Sequence, residues 1–580
     1  MQKKLSKKTF GVHRGLIYFL LLFISQAAAA QFFTQPAYPK NYFTWPVGAV
    51  KGIVANFGEL RPNHYHMGLD ARTDKVVNKP IYAAANGYVA KVKVEPFGFG
   101  RAIYINHPNG FTTLYAHLND FYPELESYVT EQQYKLQSWQ VFLDIPANLF
   151  PVTKGQFIAF SGNTGGSQGP HLHWEIRDTK TDKVLNPLLF NMPIDDGIAP
   201  DVLRLAVYDR TQSTYEQTPR FIPLKKTGTG YTVAAGKLTV YTAASSFAIT
   251  AYDRYSGSTN QNGIYSAVMY ADEKPVSGFL LNGISYDETR YLNANIDYKL
   301  KINGGPYLQH LSRLPGNLSD HYKSDASNGV IILAPGQSRQ VKIEISDANN
   351  NIALINFTVE RSSTEIATVA RAGTLFSPGE LNIFENDEIK FYLPQNALYD
   401  SCYFRYGKIV PTIGKPVYQL HNHSVPLHSY FTVKIRDGIL FLPSDKMVMK
   451  RFFNNKEDFK KAEPAAEEKE KGWYKASFRE FGNFQLIVDN EPPLVTPIGF
   501  KDGMNAARSK RIAFLIKDNT EDIRKFTALL DGKWLRFTND KGKVFSYIFD
   551  EYCAPGEHEL KIIVEDLVGN KTEKIYRFTR

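Results

Sequence analysis

His171-Leu172-His173-Trp174-Glu175-Ile176 is the stretch that decides how the first part of this 580-residue chain folds. It follows a glycine-rich turn, Ser161-Gly162-Asn163-Thr164-Gly165-Gly166-Ser167-Gln168-Gly169-Pro170. In a strand, successive side chains alternate faces, so residues i and i+2 stand on one face about 6.6 Å apart along the axis. His171, His173 and Glu175 then share one face, while Leu172, Trp174 and Ile176 share the other. The apolar face reads as core. The other presents two imidazoles at a spacing that suits one zinc ligand beside one unligated histidine.

A second cluster lies upstream, Asn63-His64-Tyr65-His66-Met67-Gly68-Leu69-Asp70. On a straight strand His66 and Asp70 would stand about 13 Å apart, too far to share an ion. Gly68 between them permits a positive-φ bend that brings the two side chains together. Two histidines and one aspartate make a three-ligand set, which leaves the fourth tetrahedral position to water; structural zinc more often takes four protein ligands, mostly cysteine. The two cysteines of this chain, Cys402 and Cys553, lie far from the cluster.

Between the clusters lies Leu114-Tyr115-Ala116-His117-Leu118. In this order the three pieces resemble the M23 family of zinc metallopeptidases, the lysostaphin- or LytM-like endopeptidases of bacterial cell walls. The family pattern HxxxD, YxH, HxH reads here as His66 to Asp70, Tyr115 to His117, and His171 to His173. Phe57-Gly58, Pro80-Ile81-Tyr82-Ala83-Ala84, Asn86-Gly87, Lys154-Gly155-Gln156 and Gly169-Pro170 extend the likeness over residues 40–195. The resemblance implies that His66, Asp70 and His173 bind Zn²⁺. It implies that His117 and His171 are catalytic, one helping to deprotonate water, the other stabilising the oxyanion or protonating the leaving amine. The sequence does not divide these jobs between them. No HExxH occurs, so the glutamate base of that motif is absent.

The implied activity is hydrolysis of peptide cross-links in peptidoglycan. A second reading is a catalytically inactive envelope scaffold that binds or activates other wall hydrolases. Such proteins occur in this family but typically lose metal ligands, and here all five positions are filled. A third is an adhesion or wall-binding module in which the downstream domains matter most. Four neighbouring residues stay open. His64 is an alternate ligand or lies outside the site, and Arg61 binds a substrate carboxylate or is a surface charge. Gln168 stands where the family often has Ser or Thr. Glu175 orients a ligand imidazole through its second nitrogen or is an ordinary surface carboxylate. His421-Asn422-His423 repeats the HxH spacing without an aspartate partner set and reads as surface or packing.

Residues 1–30 read as a signal peptide: a basic leader, a short apolar run over 16–24, and an A-x-A site in Ala27-Ala28-Ala29-Ala30. The run is short for a membrane span, so no integral span is expected after cleavage. Export to the periplasm or cell envelope follows. Loss of the leader lowers the net charge from +10 to +5, which does not argue for nucleic acid and mildly favours an anionic wall polymer. Cys402 and Cys553 could pair in an oxidising compartment, but they fall in different expected domains and read rather as two unpaired buried thiols.

The length predicts several cores, and recurrent β-branched and aromatic runs between turn signals predict an all-β chain. The expected organisation is an M23-like antiparallel β domain over 31–200, then β-sandwich units over 201–362, 363–490 and 491–580. Asn86-Gly87 and Asn109-Gly110 are hairpin signals in the first unit. Residues 119–152 form an insertion with a helix start at Pro123, read either as a lid or wall of the cleft or as a packed surface helix. An internal repeat marks the second and fourth units as immunoglobulin-like copies. Val341-Lys342-Ile343-Glu344-Ile345-Ser346-Asp347 matches Leu560-Lys561-Ile562-Ile563-Val564-Glu565-Asp566, and Ala248 to Asp253 echoes Ala513 to Asp518. The first copy is enlarged around 277–328. Asp489-Asn490-Glu491-Pro492-Pro493 reads as a linker, and 454–471 as a mobile charged loop. These sandwich units are the expected surface for envelope protein partners.

Overall fold

The computed structural model describes residues 32–48, 51–228, 230–364, 371–437, 444–465 and 472–580. The leader over 1–30 lies outside the described residues. Met1–Ala37 and Tyr38–Arg580 are separate compact units, and residues 32–37 of the first carry no strand or helix. Among the described residues no helix is long and apolar enough to cross a membrane.

The chain is built on antiparallel β-sheets. In the first domain the central sheet contains β1 (Ile53–Ala55), β2 (Leu69–Arg72), β3 (Gly87–Val94), β4 (Arg101–Asn106), β5 (Phe111–Ala116), β6 (Val141–Asp144) and β7 (His171–Asp178). Their order across the sheet is β1-β2-β7-β5-β4-β3-β6. The strand read from the sequence is thus an interior member, paired on both sides. Leu172, Trp174 and Ile176 have no exposed surface and pack with Phe43, Trp45 and Ile103. Burial of each such side chain contributes about 1.5–3 kcal/mol, so the alternation fixes which face of β7 turns inward.

Two turn signals have different outcomes. Asn109-Gly110 joins β4 to β5, with Ile103 opposite Tyr115. Asn86-Gly87 makes no hairpin, because the preceding strand, Pro80–Tyr82, pairs with Phe157–Ser161 in another sheet. Gly87 is needed for closeness: a Cβ there would meet the Asn106 carbonyl at 2.2 Å.

The insertion forms helix α1 (Pro123–Leu136) and β6, which pairs with β3. Leu125 and Val129 of α1 are buried in the domain core. Its outer side meets the last sandwich. Tyr134 stacks on Tyr552 at 3.8 Å, and Arg536 donates to Thr130 and Gln133. This is a packed helix between two domains.

The first sandwich has a five-stranded and a seven-stranded sheet, and its core also takes in Phe57, Tyr65, Met67 and Val184 of the first domain. The last sandwich repeats its layout. Hairpin Ser338–Ser346/Ile352–Arg361 corresponds to Glu557–Asp566/Lys571–Thr579, and in each copy the second strand also takes a parallel partner. In the third unit, Lys456–Lys461 and Glu463–Pro464 are strands. The charged-loop expectation is therefore corrected over these residues. Lys456–Lys461 pairs with Met447–Phe453, whose ladder tolerates exposed charged side chains on one face. Residues 466–471 lie outside the described residues. Cys402 and Cys553 are buried and free.

Candidate metal centre

Strands β2 and β7 run side by side with Asp70 directly opposite His173. His66 enters from the turn after the short strand His64–Tyr65. Three atoms then converge: His66 Nε2 lies 2.9 Å from Asp70 Oδ1 and 3.0 Å from His173 Nδ1, and His173 Nδ1 lies 3.0 Å from Asp70 Oδ1. All three residues are buried. His66 Nδ1 donates to the Asn56 carbonyl at 2.7 Å, and His173 Nε2 donates to Glu175 Oε1 at 3.0 Å. These partners fix the tautomers, so each imidazole turns a lone pair toward Asp70. Two lone pairs and a carboxylate oxygen facing one another are a donor set for a cation. Tetrahedral zinc, bound at about 2.0–2.2 Å, spaces its ligands by about 3.3 Å, close to this triangle.

Gly68 makes the convergence possible, though not through a positive φ, which it does not adopt. A Cβ at Gly68 would stand 2.6 Å from the Trp174 carbonyl and 3.0 Å from His173 Cε1. The glycine lets the turn before β2 approach β7 closely, which is a steric requirement on space and not on dihedral freedom.

His117 and His171 complete the arrangement. His171 Nδ1 donates to the Gly169 carbonyl at 2.8 Å, and its Nε2 lies 3.3 Å from Asp70 Oδ1. His117 Nδ1 donates to the Thr164 carbonyl at 2.8 Å, which leaves Nε2 as the lone-pair nitrogen. The two rings lie 4.9 Å apart between centroids. His117 sits between β5 and the strand Leu118–Phe121 at φ 60°, a left-handed conformation that a non-glycine residue adopts at a cost of about 1–3 kcal/mol. The glycine-rich turn holds it there. Gly162 packs so closely that a Cβ would meet the His117 carbonyl at 2.7 Å.

The electrostatics divide these groups. Burial acts to raise Asp70, yet His66, His171 and His173 hold it well below the usual carboxylate range. Burial opposes protonation of His173, but hydrogen bonds to Asp70 and Glu175 raise it to about 9. A cation must displace that proton, so affinity falls in acid. Burial lowers His117 to about 3, aided by His173 and His171, and keeps it neutral.

Glu175 is the residue whose reading the structure settles. It has no exposed surface. Besides His173, it accepts from Tyr286 Oη at 2.6 Å and Arg177 Nε at 2.7 Å. It therefore orients the His173 imidazole and is no surface carboxylate. Arg61 lies 3.4 Å from Asp70 Oδ2 and contacts that carboxylate. His64 bonds the Pro62 carbonyl and stands apart from the cluster. Gln168 is exposed on the turn. His423 stacks on Phe453, and neither His421 nor His423 joins a candidate metal cluster among the described residues.

Two supporting residues carried no signal in the sequence. Asn56 orients His66 through its carbonyl, while its side chain pairs with Gly263 of the first sandwich at 2.8 and 2.9 Å. Tyr286, which anchors Glu175, also belongs to that sandwich, in the segment that enlarges it. The last sandwich reaches the turn before His171: Asp540 accepts from the Gly165 amide and Lys541 donates to the Ser167 carbonyl, both at 2.8 Å.

Residues 64–134 match the model of Peptidase family M23, and this span holds His66, Asp70 and His117. The chain carries an M23-family peptidase domain. An uncharacterized metalloprotease of Haemophilus influenzae is 33% identical over 136 residues, 23% of this chain and 22% of that protein. DD-carboxypeptidase/endopeptidase Mpg of Neisseria meningitidis is 28% identical over 159 residues, 27% of this chain and 30% of the relative. Peptidoglycan DD-endopeptidase ShyA of Vibrio cholerae is 26% identical over 160 residues, 27% and 31% of the two chains. The matched part thus spans less than a third of each relative. His171 and His173 of the M23 domain lie beyond the matched span but complete its cluster in space. Residues 373–489 match the model of a Zu5-like domain.

Proposed function

We propose that the M23 domain is a zinc-dependent endopeptidase that hydrolyses peptide cross-links of bacterial peptidoglycan, acting after export in the periplasm or cell envelope. The observation that carries this reading is the convergence of His66, Asp70 and His173 within 2.9–3.0 Å with His117 and His171 beside them. A relative named as a peptidoglycan DD-endopeptidase and another named as a DD-carboxypeptidase/endopeptidase support the substrate class.

His66, Asp70 and His173 would hold the ion, kept in place by Asn56 and Glu175. Bound zinc supplies Lewis-acid polarisation of the scissile carbonyl and acidifies water. His117, held neutral with its Nδ1–H on the Thr164 carbonyl and Nε2 unprotonated, is the proton acceptor. His171, anchored through Nδ1 on Gly169, stabilises developing charge or returns the proton to the leaving amine. A scaffold role without catalysis gains no support from these positions, since all five side chains are placed together.

The test is metal content with turnover. The mature protein should bind about one Zn²⁺ per chain and release peptide amines from purified sacculi, and a chelator should stop the release. Asp70→Ala and His173→Ala should lose the metal. Full occupancy in both variants, or release unaffected by chelation, would refute the assignment.

A further inference from the structure

Two clusters of carboxylates lie outside the metal centre, and they occupy equivalent places in the two copies of the internal repeat. The first is Asp196, Asp253 and Asp347; the second is Asp489, Asp518 and Asp566. In each, one aspartate comes from the segment entering the sandwich, four residues before a proline, Pro200 or Pro493. One follows the strand Ala244–Tyr252 or Arg511–Lys517. One lies in the turn region of the hairpin Ser338–Ser346/Ile352–Arg361 or Glu557–Asp566/Lys571–Thr579.

The supporting bonds repeat as well. Asp347 Oδ1 accepts the Asn351 amide at 2.8 Å and its Oδ2 the Asn351 side chain at 2.7 Å; Asp566 makes the same two bonds with Asn570 at the same distances. Asn351 and Asn570 also donate to the backbone carbonyls of Asp196 and Asp489. An asparagine thus ties the entering segment to the hairpin in each copy, and the carboxylates are held in one orientation.

What this scaffold leaves unsatisfied points to a ligand. Asp253 has no exposed surface, and neither of its carboxylate oxygens has a hydrogen-bond partner. Asn262, bridged to Asp253 through the backbone and 1% exposed, has an unpartnered Oδ1. In the second copy Asp489 is 1% exposed with Oδ2 unpartnered, and Asp518 Oδ1 is likewise free. Among the described residues, none of the six carboxylates forms an ion pair with lysine or arginine. Three carboxylates packed together without a counter-charge are strongly unfavourable. Burial first, then Asp196 and Asp347, raise Asp253 to about 8.

We propose that each cluster binds one hard divalent cation of the calcium class and so clamps the segment that leads into its β-sandwich. The donors are all oxygen, which excludes a zinc-type N/S site. In each cluster the ligand atoms lie within 4.8 Å of one another. Calcium accepts six to eight oxygens in flexible geometry, whereas magnesium demands a near-ideal octahedron and keeps several waters, so a set of protein carboxylates suits calcium. Water would raise the oxygen count toward the six to eight that calcium takes.

The experiment uses the full mature chain, stripped of metal and reloaded with one equivalent of Zn²⁺. Calcium binding is measured by equilibrium dialysis with radioactive Ca²⁺ up to about 5 mM, above the range of weak extracellular calcium modules. Two ions per chain are expected. Asp253→Asn and Asp518→Asn, which keep side-chain shape, should each bind one, and the double variant none, with zinc content unchanged in all three. Independently of any variant, Ca²⁺ should raise the unfolding temperature of the parent chain more than Mg²⁺ at equal ionic strength. No bound Ca²⁺ at about 5 mM, two ions retained in the double variant, or no calcium-specific rise in unfolding temperature would each overturn the proposal. The zinc assignment is read separately, from zinc content and turnover.

Discussion

Glu175→Gln tests whether the metal centre is held by its second layer. Glu175 receives three donors, His173 Nε2 at 3.0 Å, Tyr286 Oη at 2.6 Å and Arg177 Nε at 2.7 Å, and has no exposed surface. A glutamine keeps one acceptor oxygen and replaces the other by a donor, so at least one of the three donors faces an N–H. Breaking a buried charge pair costs about 3–5 kcal/mol. Arg177 retains Asp182, which accepts from Nη1 at 3.0 Å through both oxygens, so the loss should lie at the lower end, about 3 kcal/mol. His173 keeps at best a neutral amide oxygen in place of the carboxylate that fixes its tautomer, and weakening such a partner typically costs about 10–100-fold in metal affinity. Two measurements separate these effects. Zinc affinity is read by competition with a chromogenic chelator. Local stability of the metal-stripped protein is read by hydrogen exchange in His171–Asp178, because a chain with several cores does not unfold in two states. Tyr286→Phe, which removes one donor and leaves the charge, should weaken zinc less than Glu175→Gln. Zinc affinity within twofold of the parent in Glu175→Gln would refute the orienting role, whatever happens to stability.

Three further outcomes follow from the geometry. Gly68→Ala should lower stability by about 1–3 kcal/mol and weaken zinc binding, since its Cβ meets a backbone carbonyl at 2.6 Å, whereas Gly379→Ala, with nothing within 4 Å, should be neutral in thermal unfolding; a tolerated Gly68→Ala would mean that β2 and β7 need no close approach there. His117→Ala and His171→Ala should each keep zinc, as metal analysis will read, and lose at least about 10² in kcat/KM on a cross-linked muropeptide; loss of zinc in either would exchange ligand and catalyst. Acid should destabilise the first sandwich through His310 and His321, which burial lowers to about 3 in the folded state. Below about pH 6.5 the unfolded chain binds more protons than the folded one, so stability present above that pH is lost as pH falls toward 3, by up to about 1.4 kcal/mol per pH unit for each histidine. The double variant His310→Gln/His321→Gln should flatten this slope in thermal unfolding between pH 7 and 5, and an unchanged slope would remove both residues from the account.

What the sequence made legible was local or periodic. The period-two alternation of His171 to Ile176 placed β7, because one face had to be buried and a one-residue slip would expose Trp174. Pro123 with Glu124 and Glu126 marked the start of α1 because a proline lacks the N–H that a first turn leaves unused. The repeat was readable because equivalent hairpins need the same alternation. Other features were hidden because they depend on which distant segment arrives. Asn86-Gly87 has hairpin chemistry, but its flanking strands join different sheets. Gly68 invited a dihedral explanation, while its actual constraint is the carbonyl of Trp174, supplied from a hundred residues downstream.

The same reasoning explains why the supporting layer of the site was invisible. A metal ligand announces itself by residue type and spacing. The groups that orient it need only present one oxygen at one point, so Asn56 and Tyr286 look ordinary in the sequence. Here both are tied to the first sandwich, through Gly263 and through the segment around Tyr286, and Phe57, Tyr65 and Met67 share that sandwich's core. His66 and His173 are therefore positioned by two domains together. The peptidase domain is legible as a motif, but its precision is a property of the interface. A variant that loosens the sandwich should accordingly be felt first as weakened metal affinity, before any ligand has been changed.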